Sequence, residues 1–205
     1  MPVIVVANPK GGVGKSTLST QVAGYFASCG HAVMLGDVDQ QQSARIWLDL
    51  RPATASFIRP WEIAGHKALR APTGTTHVVL DTPAGFNGKR LENIIKLADK
   101  VLIPLQPSIF DIHATHDFLT ELQALKLGKR IQLGVVGMRA KEGSFSADQL
   151  QTFLTSTNVP VLGFLRDTQN YVHLAARGLC LWDVTPTRVE RDLDQWRPIT
   201  KWLNA

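Results

Sequence analysis

The sequence predicts an α/β fold, a doubly wound and mostly parallel sheet flanked by helices. Three observations carry that prediction. Short apolar runs rich in Val, Ile and Leu recur along the 205 residues, stretches with helical spacing lie between them, and glycines stand where those helices would stop. Within the runs apolar residues are continuous rather than alternating, as in strands buried on both faces. Strands that alternate with helices are joined by right-handed crossovers, which leave a parallel sheet covered on both sides.

The expected strands, in order, are Val3–Ala7, Ala32–Leu35, His77–Leu80, Val101–Leu105, Ile131–Val136 and Val159–Leu165. A first helix over Ser16–Ser28 places Leu18, Val22, Phe26 and Cys29 on one stripe, with Gly30 as its stop. A second, over Phe110–Leu127, repeats the spacing with Ile112, Phe118, Leu119, Leu122 and Leu125 before Gly128. The segment Arg51–Thr75 holds Pro52, Pro60, Gly65, Pro72 and Gly74, so a peripheral excursion is expected there. Near the end, Val189, Leu193, Trp196, Ile199 and Leu203 fall near one stripe, with Trp202 beside it and Pro198 interrupting. Acidic Glu190, Asp192 and Asp194 oppose an anionic membrane surface, so the expectation is a terminal helix packed on the sheet. No repeat or linker divides the chain. Residues 1–205 read as a single domain.

Composition narrows the class. With 44% hydrophobic and 19% charged residues the chain is too apolar for disorder. No apolar run approaches the ~20 residues that cross a bilayer, and no secretory signal is visible. Cys29 and Cys180 are too few for a disulfide framework or a four-cysteine metal site, which points to a reducing, cytoplasmic compartment. Six histidines are scattered, and only His113 and His116 are helix neighbours. The formal charge is +5. Much of that excess falls in residues 51–100, in Arg51, Arg59, Lys67, Arg70, Lys89, Arg90, Lys96 and Lys100. A basic balance favours a polyanionic partner and is equally met by a solvated surface.

The strongest motif is Asn8-Pro9-Lys10-Gly11-Gly12-Val13-Gly14-Lys15-Ser16-Thr17, directly after the first strand and opening the first helix. Gly11, Gly12 and Gly14 let the backbone curl so that successive N–H groups, Val13 included, face phosphate oxygens. The helix N-terminus adds partial positive charge. Lys15 is placed for the β- and γ-phosphates of ATP, the Ser16 hydroxyl for Mg²⁺, and Thr17 for a further phosphate oxygen. Pro9 stands where the ordinary pattern has its first glycine, and a second lysine, Lys10, precedes Lys15 by five positions. A dinucleotide fingerprint fails because Thr17 occupies its third glycine position.

This Lys-Gly-Gly-Val-Gly-Lys-Ser-Thr loop resembles the variant phosphate loop of the ParA/MinD group of P-loop ATPases. The resemblance implies a P-loop NTPase type of sheet, and it implies that Lys10 reaches across a nucleotide-sandwich homodimer to the partner's ATP. Two further segments match the group. Gly36-Asp37-Val38-Asp39-Gln40-Gln41-Gln42-Ser43 resembles its D-x-D-P-Q-x-S segment, with Gln40 at the proline position. By that resemblance Asp39 orients the attacking water and supports the metal, while capping of the next helix remains open for the pair. Val78-Val79-Leu80-Asp81-Thr82-Pro83-Ala84-Gly85 resembles its Walker B, with Asp81 holding Mg²⁺ at a strand end. Ile103-Pro104-Leu105-Gln106-Pro107-Ser108, with Asp111 and Ala114, is similar to the following loop of partition ATPases. The two cysteines do not match the bridging pair of the nitrogenase iron protein, which shares the loop type.

These matches imply an ATPase switch with weak basal turnover. Mg-ATP closes a homodimer with Lys10 acting in trans, and the dimer binds DNA nonspecifically. A ParB-like or other adaptor then stimulates hydrolysis on the nucleoid of a bacterium. Catalytic roles fall to Lys10, Lys15 and Asp39, and metal contacts to Ser16, Asp39 and Asp81. Arg166, Arg191 and Lys201 are the candidate DNA contacts, alongside salt-bridging and solubility roles. The cargo is a plasmid, a chromosome locus or a protein assembly. A MinD-like membrane-cycling regulator and a P-loop ligase or synthetase are the alternatives. The first strand begins at residue 3 with no helix-turn-helix before it, so site-specific operator binding is not expected of this chain.

Overall fold

The computed structural model describes residues 1–61, 71–125, 131–140 and 159–205. Seven strands form one sheet: β1 (Val3–Val6), β2 (Val33–Asp37), β3 (Ile58–Trp61), β4 (His77–Asp81), β5 (Lys100–Leu105), β6 (Gln132–Ala140) and β7 (Val161–Arg166). Their order is β3-β2-β4-β1-β5-β6-β7, and every neighbouring pair is parallel. The chain starts in the middle of the sheet and winds outward both ways. The carboxyl ends of β1, β4 and β5 therefore frame the crevice where doubly wound sheets place ligands.

All six expected strands are present, and β3 is an addition. It lies within the segment read as an excursion and forms the sheet edge, pairing Ile58 with Val33 and Pro60 with Leu35. Its short apolar signal is broken by Arg59 and Pro60. Proline has no N–H for a ladder, which an edge strand tolerates and a central one does not.

Among the described residues the α-helices are α1 (Lys15–Ser28), α2 (Ser43–Leu50), α3 (Gly88–Ile95), α4 (Ile109–Ala124), α5 (Gln169–Ala175) and α6 (Glu190–Asn204). Leu127 and Gly128, expected to end the second predicted helix, lie outside the described residues. Alternate strand residues face opposite ways and feed two cores. Ile4, Val6, Val33, Leu35, Val79 and Leu102 pack with side chains of α1, α2, α5 and α6. Val5, Met34, Val78, Leu80, Val101 and Ile103 pack with those of α3 and α4. The continuous Val/Ile/Leu runs are thus explained by burial on both faces.

The terminal helix packs as expected: Trp196, Ile199 and Leu203 of α6 are buried, each contributing on the order of 2 kcal/mol relative to exposure. α6 lies directly on β7: a Cβ at Gly163 would sit at ordinary contact distance, 3.4 Å, from the Gln195 carbonyl oxygen. Pro198 lies inside α6 on its exposed side without ending it. The Lys100 amine donates to the carbonyls of Trp202 (2.5 Å) and Leu203 (3.0 Å), capping the helix C-terminus. Burial lowers the pKa of that lysine.

The expected basic surface over 51–100 is corrected in part. Arg51 is buried in a bidentate pair with Asp183, both oxygens at 2.8 Å, and Lys100 is the helix cap just described. Neither faces solvent. Arg59, Lys89, Arg90 and Lys96 are exposed, Lys96 being paired with Glu92, while Lys67 and Arg70 lie outside the described residues.

Candidate nucleotide site

Residues 8–14 turn back over the carboxyl edge of the sheet between β1 and α1. Gly12 (φ 75°) and Gly14 (φ 97°) adopt left-handed backbone that other residues rarely hold. At Gly14 the left-handed backbone is the constraint; a Cβ there would lie 2.8 Å from the terminal carbon of Met138, the flexible end of a side chain that can give way. Neighbouring elements hold the loop in place. The buried Asn8 amide donates to the Pro104 carbonyl (2.8 Å) and the Thr115 hydroxyl (3.0 Å), while its oxygen accepts the Lys10 N–H (2.9 Å). Gln106 Nε2 donates to the Gly12 carbonyl (2.7 Å), and the Gly85 N–H to that of Pro9 (2.7 Å). Sequence reasoning gave Asn8, Gln106 and Thr115 no role of their own. The one local signal was a polar Asn closing an apolar strand.

Lys15 begins α1, largely buried, and its amine donates to the Lys10 carbonyl at 2.7 Å. Burial lowers its pKa, and the carboxylates of Asp81 and Asp39 act against that. Ser16 and Thr17 follow in the first turn, half-buried, and Val13 is buried beneath the loop. Gly11 is exposed at the mouth with Gly12.

Asp81 ends β4 with no solvent exposure. One carboxylate oxygen accepts from the Ser19 hydroxyl (3.1 Å), and the other has no partner in hydrogen-bond geometry among the described residues, although the Ser16 hydroxyl is near enough to act on the carboxylate. Burial pushes its pKa up to about 7, and Asp37 adds to that, despite the opposing Ser16 and Ser19 hydroxyls and the Lys15 cation. A buried carboxylate oxygen left unmatched is what a hard, oxygen-seeking divalent cation satisfies. Ser16, Asp39 and Asp81 therefore fit Mg²⁺ by donor type and by this orphaned atom.

The two acids after β2 divide their work. Asp37 accepts the N–H of Asp39 (2.9 Å) on one oxygen and those of Ala44 (2.8 Å) and Arg45 (3.3 Å) on the other. It caps α2, whose formal cap position is Gln42, a non-glycine residue at φ 51° with no capping side-chain bond. Among the described residues, the Asp39 carboxylate accepts a local turn bond from the Gln41 N–H (3.0 Å) and is felt by Lys15. The capping reading thus holds for Asp37.

Lys10 is less enclosed. Its amine is 3.9 Å from an Asp111 carboxylate oxygen, and its side chain is 41% exposed. Arg166 ends β7 opposite Ala140 of β6 and is engaged by α6: its Nε donates to Asp192 (2.5 Å), whose other oxygen accepts from Asn170 (2.6 Å). Arg191 is beside that contact in the first turn of α6, exposed, and Lys201 is exposed in its last turn. The fold brings Arg166 near Arg191 and leaves Lys201 at the other end of the helix. His113 and His116 are both exposed on α4.

A left-handed glycine cradle between the first strand and first helix, facing a buried strand-end aspartate, defines a P-loop nucleotide-binding domain. More narrowly, the chain belongs to the CobQ/CobB/MinD/ParA nucleotide binding domain family, whose sequence model matches residues 4–181. It is 33% identical over 112 residues to the maintenance of carboxysome distribution protein A of Gloeobacter kilaueensis, covering 54% of this chain and 51% of that protein. It is 28% identical over 168 residues to the chromosome-partitioning ATPase Soj of Thermus thermophilus, covering 66% and 67%. The chain thus spans about half the length of the first relative and two thirds of the second. Among solved structures, the MinD cell division protein of Aquifex aeolicus superposes with a TM-score of 0.72 over 88% of both chains at 18% identity, a likeness of fold.

Proposed function

We propose that this chain is a Mg-ATP-dependent, dimerising ATPase switch that binds DNA nonspecifically and partitions or positions a cargo, with hydrolysis stimulated by a partner protein. The observation that carries this reading is the division between the two loop lysines. Lys15 is buried and directed into its own loop, whereas Lys10 is half-exposed at the loop mouth and engaged, among the described residues, at 3.9 Å by Asp111. A second cation on an open face suits a neighbouring subunit's phosphates, as an arginine finger does. Lys15 neutralises the β- and γ-phosphates, and the loop N–H groups orient them. When bound, Mg²⁺ supplies Lewis-acid charge neutralisation at the phosphates. Ser16, Asp39 and Asp81 would hold it. Asp39 orients the attacking water, and Lys10 stabilises charge in the partner's site. Arg166, Arg191 and Lys201 contact DNA phosphates, so binding weakens steeply with salt. Relatives named for chromosome partitioning and carboxysome distribution support a nucleoid-borne plasmid, chromosome locus or protein assembly as cargo, in the cytoplasm of a bacterium.

A DNA gel shift with ATP, ADP and no nucleotide tests the proposal, comparing the parent with Lys10→Ala and Asp39→Ala. Binding is expected only with ATP, is lost in Lys10→Ala, and persists in Asp39→Ala because hydrolysis is blocked. Equal binding in all nucleotide states overturns it. ATP-dependent pelleting with anionic vesicles but not with DNA selects a membrane-cycling protein instead.

A further inference from the structure

Between α1 and α6, away from the phosphate loop, lies a recess of about 370 Å³. Tyr25, which lines it, is ten residues beyond Lys15 in α1 and therefore roughly 15 Å along the helix axis. Two half-buried rings, Tyr25 and Trp182, stand 5.1 Å apart at 56° and form its aromatic walls, while Trp196, buried in the core, backs Trp182 edge-on at 5.2 Å and 83°. The polar tips of two of these rings are already engaged. The Tyr25 hydroxyl accepts from Asn204 (2.6 Å), and the Trp196 indole donates to the Tyr171 hydroxyl (3.0 Å). What the rings offer the recess is apolar, electron-rich surface.

Its rim carries the opposite of the molecule's charge. Glu190 and Asp194 line it one helical turn apart on α6, against the single guanidinium of Arg197, which pairs with Asp194 at 2.6 Å from a largely exposed position. The lining is therefore net negative in a chain of formal charge +5. Aromatic faces beside a surplus carboxylate recognise an organic cation. A planar guanidinium meets both demands at once, stacking on a ring while its N–H fork reaches a carboxylate.

We propose that this recess is a docking site for an arginine side chain carried by a partner polypeptide. The recess has room beyond one side chain, and Leu193 and Pro186 on its lining suit an apolar neighbour of that arginine. The proposal does not rest on the ATPase reading, and its test uses no nucleotide.

The test is a titration of the full chain, followed by the indole N–H resonance of Trp182, with the peptide acetyl-Leu-Arg-Leu-amide. The controls are the same peptide with citrulline in place of arginine, and arginine amide alone. A saturable shift is expected with the arginine peptide, with at least about tenfold weaker binding of the citrulline peptide. The double variant Glu190→Gln/Asp194→Asn, both exposed positions, is expected to lose most of the binding while its circular dichroism matches the parent. Equal binding of the citrulline peptide, no saturable shift, or unchanged affinity in the folded double variant overturns the proposal. Arginine amide binding as tightly as the peptide overturns it too, since the recess would then take a small molecule.

Discussion

Asp37 and Asp39 are two residues apart, carry the same functional group and have different consequences. Asp37 satisfies three backbone donors around the start of α2, so Asp37→Ala is expected to destabilise the fold by about 1 kcal/mol or slightly more, measured by urea denaturation. Asp39→Ala is expected to leave the urea midpoint nearly unchanged and to abolish ATP turnover with nucleotide binding retained, measured by phosphate release and equilibrium binding. Gly14→Ala meets a left-handed backbone, and is expected to lower nucleotide affinity at least tenfold in a fluorescent-ATP titration. Lys15, Ser16 and Asp81 were legible because each sits in a short motif whose chemistry is local. Asn8, Gln106 and Thr115 were not, because their meaning lies in contacts 94 to 107 residues away in sequence.

At the scale of elements, the terminal helix shows what a stripe of apolar residues conveys. Its spacing read through Pro198, and the packing followed. The cation that closes it could not be read, since Lys100 meets the helix end 102 and 103 residues on. Lys100→Met removes that cap and leaves two carbonyls short of a donor. A loss of about 1–3 kcal/mol is expected from thermal or urea unfolding, with the far-ultraviolet helix signal retained before the transition. The edge strand β3 was the strand missed, because four residues interrupted by Arg59 and Pro60 give neither alternation nor a continuous run, and the short helices α3 and α5 were not read either. Arg166 is an element-scale matter as well. It joins β7 to α6 through the fully buried Asp192, so its replacement perturbs the fold and any DNA contact together. Lys201→Ala, at an exposed position in the last turn of α6, is the cleaner probe of the proposed DNA face.

For the whole molecule, the +5 charge resolves into separate roles: a lysine pair at the loop, internal cations such as Arg51 and Lys100, and exposed ones on several elements. Acid sensitivity is also a global property. His77 stacks on Phe26 at 4.2 Å and against His31 at 4.1 Å, and burial, with His31 and the N-terminal amine, lowers its pKa to about 4. The unfolded chain then binds more protons between pH 6.5 and about 4, so this contribution to stability is complete above that window and lost as pH falls through it. The melting temperature of His77→Phe is therefore expected to fall less between pH 7 and pH 5 than that of the parent. The difference isolates His77 from Asp81, whose raised pKa acts with the opposite sign.

The edge position of Pro60 bears on how copies of this chain assemble. A sheet margin with a full row of free N–H groups is a template on which another strand can grow without limit. Here a proline removes one donor and the exposed Arg59 beside it adds charge, so the β3 margin is a poor seed for strand-to-strand accretion. Growth by sheet extension at this edge is therefore disfavoured.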